Sequence, residues 1–393
     1  MGGNAKRMSF IHENLDLTFN EMFEIYKQCG LGSRQFIEKF DGVNLFFRYD
    51  SDEDKIRFSR NKGHLMASGL TSYEMAEFFE NHPAEKQFAA AVKFICDNKK
   101  AISQSWEKHV TSNLPGVFEE KVYVNLDYLD PKFHQTLKYD SQAIAMHNIW
   151  VFDDKWENDY YLHPRYFSNF IKELQSLSDD VMIGQVEIHT EPISFEDIKW
   201  LRDEINKEIT PKNLSWDNTI EEYVRFCIQE IAIEKCQISN LHDVIEFGNI
   251  LLGYGKRNDL RNLNKRYPEV REITNKWISS QKRTSTILKL LLPLVIIGEK
   301  IGATILKNVS SSAIHNSRIE AKRLDIQMNH AIRLVGEGKC GNWKSMISYL
   351  KRYNESFCGV PTIEGVVFAH EGNIYKITGS FSTMNRIIGE ARY

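Results

Sequence analysis

Paired cysteines and a secretion signal are both missing from the sequence. The six cysteines are widely separated, none forms a CxxC pair, and no histidines accompany them at the spacing of a zinc site. Disulfide frameworks belong mainly to small secreted domains, whereas scattered cysteines in a long chain are usually reduced. The opening segment, MGGNAKRMSFIHENLDL, also has no apolar core of the kind found in signal peptides. We therefore expect a cytoplasmic protein without a structural zinc site.

Long hydrophobic runs are missing as well. The most apolar stretch, residues 287–306, is interrupted by charged residues and a proline, and its longest uncharged run is residues 290–298. Crossing a bilayer with a helix requires about 20 consecutive, mostly apolar residues. The stretch therefore predicts a buried helix, and we expect no membrane partner.

Neither sign of charge dominates the chain. The net charge is −3 with 26% charged residues, so no overall basic field indicates a nucleic-acid partner, and any site for a polyanion must be a local patch. The hydrophobic fraction of 42% is sufficient for packed cores. A length of 393 residues predicts two or three domains.

The first part of the chain mixes strand and helix patterns. Apolar spacing predicts a helix over residues 15–29, and two alternating runs joined by a polar turn predict a hairpin over residues 42–59. Helical patterns follow at residues 72–82 and 83–109. Two further strands are predicted within residues 120–153.

The second part of the chain is helical until its last forty residues. Between residues 195 and 353 apolar residues recur at three and four positions, which predicts five to seven helices. A hairpin pattern returns at residues 365–378. We therefore predict an α+β body of residues 1–190 and 356–393 with a helical insertion at 191–355. Basic stretches in this block fit the solvated faces of helices better than a nucleic-acid surface.

The string that suggests chemistry lies at the start of the first hairpin: Lys39, Phe, Asp41, Gly42, Val and Asn44. A lysine attacks a phosphorus atom only when its amine is neutral, which burial or neighbouring cations favour. Gly42 would allow the backbone close to a nucleotide, and Asp41 and Asn44 offer polar contacts. The pattern is short, however, and also fits an ordinary lysine before a turn.

Further candidate residues follow in order along the chain. Arg60 and Lys62, in the string RNKG, could hold phosphates. Asp127 lies within the apolar strand pattern VYVNLDYL, where a solvated strand face is an equally good explanation. His147, in IAMHNIW, also fits a core histidine with a satisfied hydrogen bond.

Two more candidates lie in the last hairpin. Glu364 begins it, in the string EGVVF, and Lys376 follows on the partner strand, in YKITG. Across a hairpin the two side chains could face one cleft. The carboxylate could then bind a divalent cation and the lysine could neutralise a phosphate.

Taken together, these strings resemble the ordered motifs I, Ia, III, IIIa, IV and V of the covalent nucleotidyltransferase superfamily. That superfamily contains ATP-dependent DNA ligases, RNA ligases and mRNA capping enzymes. The fuller strings KFDGVNLFF, FSRNKG, EGVVF and YKITGSF are most similar to RNA-ligase-like proteins of large tailed phages. The resemblance covers residues 30–155 and 360–393, somewhat under half of the chain. It implies a ligase adenylation-domain-like fold of antiparallel sheets.

The resemblance also implies a role for each matching residue. Lys39 would be the catalytic nucleophile that carries AMP from ATP, and Glu364 would help to bind Mg²⁺ or Mn²⁺. The other matching residues would contact the nucleotide: Asp41, Gly42, Asn44, Arg60, Lys62, Asp127, His147 and Lys376. Among these, Asp127 would bind the ribose and Lys376 the α-phosphate, while His147 falls near the place of an aromatic residue that stacks on the base.

Three departures from the family pattern bear on the function. The acid of motif III is normally glutamate, but here it is Asp127. Motif V usually has two lysines as KxK, but Thr378 stands in the second place. Too few residues follow the last hairpin for the OB-fold of DNA ligases and capping enzymes, which favours an RNA-ligase-like protein.

The expected activity is ATP-dependent ligation of a nucleic acid, most simply RNA, at a 5′-phosphate end. A second hypothesis is a non-catalytic phage protein that keeps the fold and serves in the virion or binds nucleic acid. An obstructed or acidic environment around Lys39 would favour it. A third is transfer of AMP or GMP to another acceptor, such as a protein or an RNA cap. If the protein is encoded by a phage, its location would be the host cytoplasm or the virion.

Overall fold

The computed structural model describes most of the chain. The described residues are 9–40, 42–82, 84–114, 119–133, 142–153, 158–161, 164–176, 181–184, 187–255, 257–277, 287–309, 321–338, 364–371 and 373–378. Their strands are β1 (Ser9–Phe10), β2 (Phe36–Lys39), β3 (Val43–Asp50), β4 (Lys55–Ser59), β5 (Val122–Leu129), β6 (Gln142–Phe152), β7 (Asn158–Tyr161), β8 (Val181–Gly184), β9 (Glu187–Ile188), β10 (Gly365–His370) and β11 (Asn373–Ile377).

The α-helices lie in two groups along the chain. Those before β9 are α1 (Phe19–Gly30), α2 (Lys62–Met66), α3 (Ser72–Phe78), α4 (Glu85–Asp97), α5 (Lys99–His109) and α6 (Pro164–Gln175). Those between β9 and β10 are α7 (Phe195–Ile209), α8 (Ile220–Glu234), α9 (Leu241–Leu252), α10 (Arg257–Arg266), α11 (Pro268–Trp277), α12 (Leu292–Lys307) and α13 (Ala321–Gly336). No described helix is long and apolar enough to cross a membrane.

The strands form two sheets. The first has the order β1-β11-β10-β2-β9, with β1 parallel to β11 and the other neighbours antiparallel. The second has the order β4-β3-β5-β6-β7, with antiparallel neighbours, and β8 pairs with β6 in parallel. The fold is therefore α+β with mostly antiparallel sheets, as expected. The finer ligase-like fold stays a prediction.

The helices and sheets pack in two large cores. The inner residues of the second sheet, such as Leu45 and Phe47, pack with helices α3 to α6 in one core. Phe36 and Tyr375 of the first sheet share another core with α1 and with helices α7 to α9, α12 and α13. The helices between β9 and β10 thus share one core with the first sheet and with Leu129, Ala143 and Ala145 of the second sheet. The domain boundaries at 190/191 and 355/356 stay a prediction.

Most of the elements expected from the sequence are present, but three helices differ in their bounds. The helix expected over residues 72–82 ends at Phe78. The first helix begins at Phe19, not at residue 15, because Thr18 and Glu21 form a capping box. The helical pattern expected over residues 83–109 is divided into α4 and α5 at Asn98. The Asn98 amide donates to the carbonyl of Phe94 at 2.9 Å, and such local bonds favour the end of a helix.

Candidate functional site

Lys39 and Glu364 meet although they lie 325 positions apart in the sequence. Lys39 is the last residue of β2, and in the sheet it lies opposite Gly365, the first residue of β10. Glu364 immediately precedes that strand, and its Oε1 contacts the Lys39 Nζ. The two side chains are only 13% and 8% exposed. The pairing of β2 with β10 therefore creates a largely buried ion pair.

Two glycines allow the close approaches that build this part of the site. A Cβ on Gly365 would collide with the carbonyl oxygen of Ile377 and lie 2.8 Å from the Thr378 Cγ2. A Cβ on Gly42 would lie 2.8 Å from the carbonyl oxygen of Tyr128 and 3.1 Å from the Asp127 Cβ. Real Cβ atoms essentially never have contacts shorter than about 3 Å, so only glycine fits at either position without a shift. Gly42 thus lets the chain pass from β2 to β3 directly against β5.

That close passage brings Lys39 near Asp127. Asp127 lies in β5 opposite Asn44 of β3, and it is only 5% exposed. Its Oδ2 lies 2.9 Å from the Nε2 of His147. Burial by itself raises the pKa of Asp127, but the charge and hydrogen bond of His147, the charge of Lys39 and the Asn44 amide together lower it below the ordinary value. The carboxylate is therefore held ionised beside the lysine.

Asn44 connects this carboxylate to Arg60. The Asn44 amide donates to the Asn125 Oδ1 at 2.8 Å and to the Leu126 carbonyl at 3.2 Å. These two bonds fix its orientation, so its own oxygen is available to accept from the Arg60 Nη1 at 3.3 Å. The Arg60 guanidinium lies 5.7 Å from the ring centroid of Phe88. Burial lowers the pKa of Arg60, and the charge of Asp127 opposes that shift.

Lys376 lies on the same face of the first sheet as Lys39. Lys376 pairs with Val367 of β10, and Val367 pairs with Ile37 of β2, so these three side chains lie on one face of the sheet. Lys39 is two positions after Ile37 in β2, and its side chain therefore lies on that face as well. The Nζ of Lys376 is 4.4 Å from the ring centroid of Phe10. Two strand spacings therefore separate the two lysines on one surface. Thr378, which stands where a second lysine was expected, is buried.

The last two predicted residues, Lys62 and Asp41, add little to the description of the site. Lys62 is the first residue of α2, after the N-cap Asn61, and it is half-buried. The side chain of Lys62 forms no hydrogen bond or ion pair with the described part of the chain. Asp41 lies outside the described residues.

Asn125 and Phe88 belong to the site but were not among the residues expected from the sequence. Asn125 could have been found from the spacing, because it is two positions before Asp127 in the same strand and its side chain therefore lies on the same face. Phe88 lies in a helix far from any motif, and no sequence signal places it under Arg60. The Nε2 of His147 lies 2.9 Å from the Asp127 Oδ2, which agrees with a histidine whose hydrogen bond is satisfied, and its place near a nucleobase stays a prediction.

The assembled groups suit the chemistry of a phosphorylated ligand. One amine contacts the carboxylate of Glu364 and lies near that of Asp127, and a guanidinium and a second amine lie on the flanking surfaces. Within the described ranges, no group of three or more His, Cys, Asp or Glu side chains is arranged to hold a metal ion. Comparison with known proteins adds no identity, since no protein-family model matches the chain and no curated protein matches it significantly.

Proposed function

We propose that the protein is an ATP-dependent, polynucleotide-ligase-like nucleotidyltransferase that forms a covalent lysyl-AMP at Lys39. The observation that carries the proposal is the convergence of Lys39, Glu364 and Asp127, which come from three distant parts of the sequence. Such a cluster provides a nucleophile, a carboxylate for a cation and a carboxylate for a ribose. These are the groups that nucleotidyl transfer requires.

In the first step, the Lys39 Nζ attacks the α-phosphorus of ATP. A phosphorus–nitrogen bond forms, the bond to the bridging oxygen breaks, and pyrophosphate leaves. The amine must lose a proton before or during the attack, because only its neutral form is nucleophilic. The proton of the Lys39 ammonium would pass to solvent, and the contact with Glu364 would open before the attack. Arg60 and Lys376 would neutralise the phosphate oxygens, and Asp127 would accept hydrogen bonds from the ribose hydroxyls.

A divalent cation, Mg²⁺ or Mn²⁺, fits the donor set at this position. Magnesium in nucleotide enzymes is commonly held by one or two protein carboxylates together with phosphates of the substrate. Glu364 provides one buried carboxylate next to the nucleophile. When bound, the cation would supply charge neutralisation for the triphosphate.

The proposed acceptor is a nucleic acid with a 5′-phosphate end, most simply RNA. An oxygen of that phosphate would attack the phosphorus of the lysyl-AMP, which breaks the phosphorus–nitrogen bond and returns the electron pair to Lys39. A 3′-hydroxyl would then attack the 5′-phosphate and displace AMP, so that the strand is sealed. The acceptor rests on the resemblance of the motif strings to RNA-ligase-like proteins.

A second candidate is a non-catalytic protein that serves in a virion or binds nucleic acid. The observation in its favour is the closed environment of Lys39, which is only 13% exposed and contacts an acidic side chain.

The two candidates are distinguished by incubation of the pure protein with α-³²P-ATP and Mg²⁺ or Mn²⁺, followed by a denaturing gel. We expect a covalent label on the wild type and none on Lys39→Ala. A folded wild type that takes no label from ATP or GTP would favour the non-catalytic candidate.

A further inference from the structure

A β-bulge in β6 determines where the side chain of His147 lies. Opposite β5, Ala145 pairs with Asp127 and Met146 with Leu126, but Asn125 pairs with Asn148. His147 is therefore the extra residue of the bulge. A bulge of this kind turns a side chain out of the regular alternation, and bulges are frequent beside active sites.

The consequence is that two consecutive polar residues face the Asp127 side of the sheet. In the regular alternation Met146 packs into the core of the second sheet, and Asn148 lies on the opposite face beside Asn125. His147, between them, lies on that face too, because its Nε2 reaches the Asp127 Oδ2 at 2.9 Å. The extra residue thus adds a nitrogen donor to the face that carries Asn44 and Asp127.

The chemistry of the contact fixes which ring nitrogen carries a proton. An ionised carboxylate can only accept hydrogen bonds, so the Nε2 of His147 must donate. The carboxylate is 7% exposed and the imidazole 17% exposed, so water contributes little to the solvation of either group. A buried carboxylate needs such donors to stay ionised and in one orientation.

We propose that His147 is a positioning residue, which holds Asp127 through its ring N–H in the orientation that receives the ribose of the nucleotide. The inference rests on the proposed function, since it assigns how the ribose-binding group of that site is held. It differs from the role that the motif resemblance implies, in which an aromatic ring at this position stacks on the base. A stacking role needs a ring, whereas a positioning role needs an N–H donor.

Two substitutions separate these requirements. His147→Gln keeps an N–H near the place of the Nε2 but has no ring, and His147→Phe keeps the ring but has no donor. We expect His147→Gln to keep the affinity for ATP and the single-turnover rate of labelling within about threefold of the wild type. For His147→Phe we expect the ratio of the labelling rate to the dissociation constant for ATP to fall about 10- to 100-fold. Such a loss is typical when a hydrogen bond to a charged group is removed. The opposite ranking would overturn the proposal.

The variants are compared only after circular dichroism and thermal unfolding show that they are folded. If His147→Phe does not fold, His147→Gln decides alone, because stacking predicts that it fails and positioning predicts that it works. The ¹⁵N shifts of the His147 ring give a readout independent of activity. A ring protonated at Nε2 is expected, and a neutral ring protonated only at Nδ1 would contradict the contact with Asp127.

The outcomes also distinguish this inference from the proposed function. A wild type that labels, together with a His147→Phe variant that labels equally well, would overturn the positioning role alone. A wild type that binds ATP without labelling would overturn the covalent step, and the affinities of the variants would then decide the role of His147. A wild type that neither binds nor labels would overturn both.

Discussion

Replacing Gly365 by alanine should loosen the junction on which the whole site depends. Gly365 pairs with Lys39 on one side and lies against the β11 backbone on the other. The added Cβ would meet the carbonyl oxygen of Ile377, the Thr378 Cγ2 at 2.8 Å and the Thr378 Cα at 3.0 Å. Two of these three atoms belong to the backbone and cannot rotate away, so β10 and β11 must separate.

The expected magnitude follows from the kind of atoms involved. Overpacking in a folded core usually costs about 1–3 kcal/mol, and collisions with backbone atoms belong at the upper end of that range. Alanine also restricts the unfolded chain more than glycine does, which offsets about 0.4–1 kcal/mol. We therefore expect Gly365→Ala to lower the free energy of unfolding by about 2 kcal/mol.

Urea unfolding followed by circular dichroism measures this change, with linear extrapolation to water. Gly336→Ala is the matched control, because its Cβ would have no neighbour within 4 Å and the position ends a helix. The control should be unchanged or slightly more stable. ATP labelling of Gly365→Ala should also fall, since Glu364 and Lys39 are aligned by the same strand pair. A Gly365→Ala protein as stable as the control would refute the close approach of β10 and β11.

Three further predictions concern single charges of the site. Arg60→Ala should weaken ATP binding, measured by calorimetry, by about 10- to 100-fold, because a guanidinium contact to phosphate is lost. An unchanged affinity would show that Arg60 does not belong to the site. Lys376→Ala should slow labelling at least about 10-fold, whereas the exposed Lys93→Ala should label like the wild type. Because the folded protein lowers the pKa of Asp127, the ionised carboxylate stabilises the fold at pH values above its ordinary pKa of 3.8. This stabilisation is lost as the pH falls through the pKa that Asp127 has in the folded protein. Asp127→Asn should therefore be less stable than the wild type at pH 7 and the difference should shrink in acid, and a difference independent of pH in urea titrations would contradict this.

The local elements were largely predictable because their signals are local. The hairpin of β3 and β4 has alternating apolar residues around a polar turn, and the C-terminal hairpin of β10 and β11 has the same pattern. Helix caps depend on local chemistry too: the capping box at the start of α8 is a threonine followed three positions later by glutamate. Local chemistry thus predicted most elements, though not the break between α4 and α5.

The assembly of the site was predictable only in part, because it depends on pairings without a local signal. The motif resemblance implied that Lys39 and Glu364 serve one site, but β2 is a four-residue strand with no pattern that indicates its pairing with β10. The bulge at His147 is likewise visible only when the partner strand is known. The sequence therefore identified candidate residues, and the tertiary structure determined that Asp127 binds His147.

The central claim is that Lys39 becomes covalently attached to AMP. The most direct measurement is mass spectrometry of the intact protein after incubation with ATP and Mg²⁺ or Mn²⁺, followed by proteolysis at neutral pH and sequencing of the modified peptide. The expected result is a gain of one AMP per chain, located on Lys39, that disappears on addition of pyrophosphate and is missing from Lys39→Ala. A folded protein that gains no AMP, or that carries it on another residue, would contradict the account.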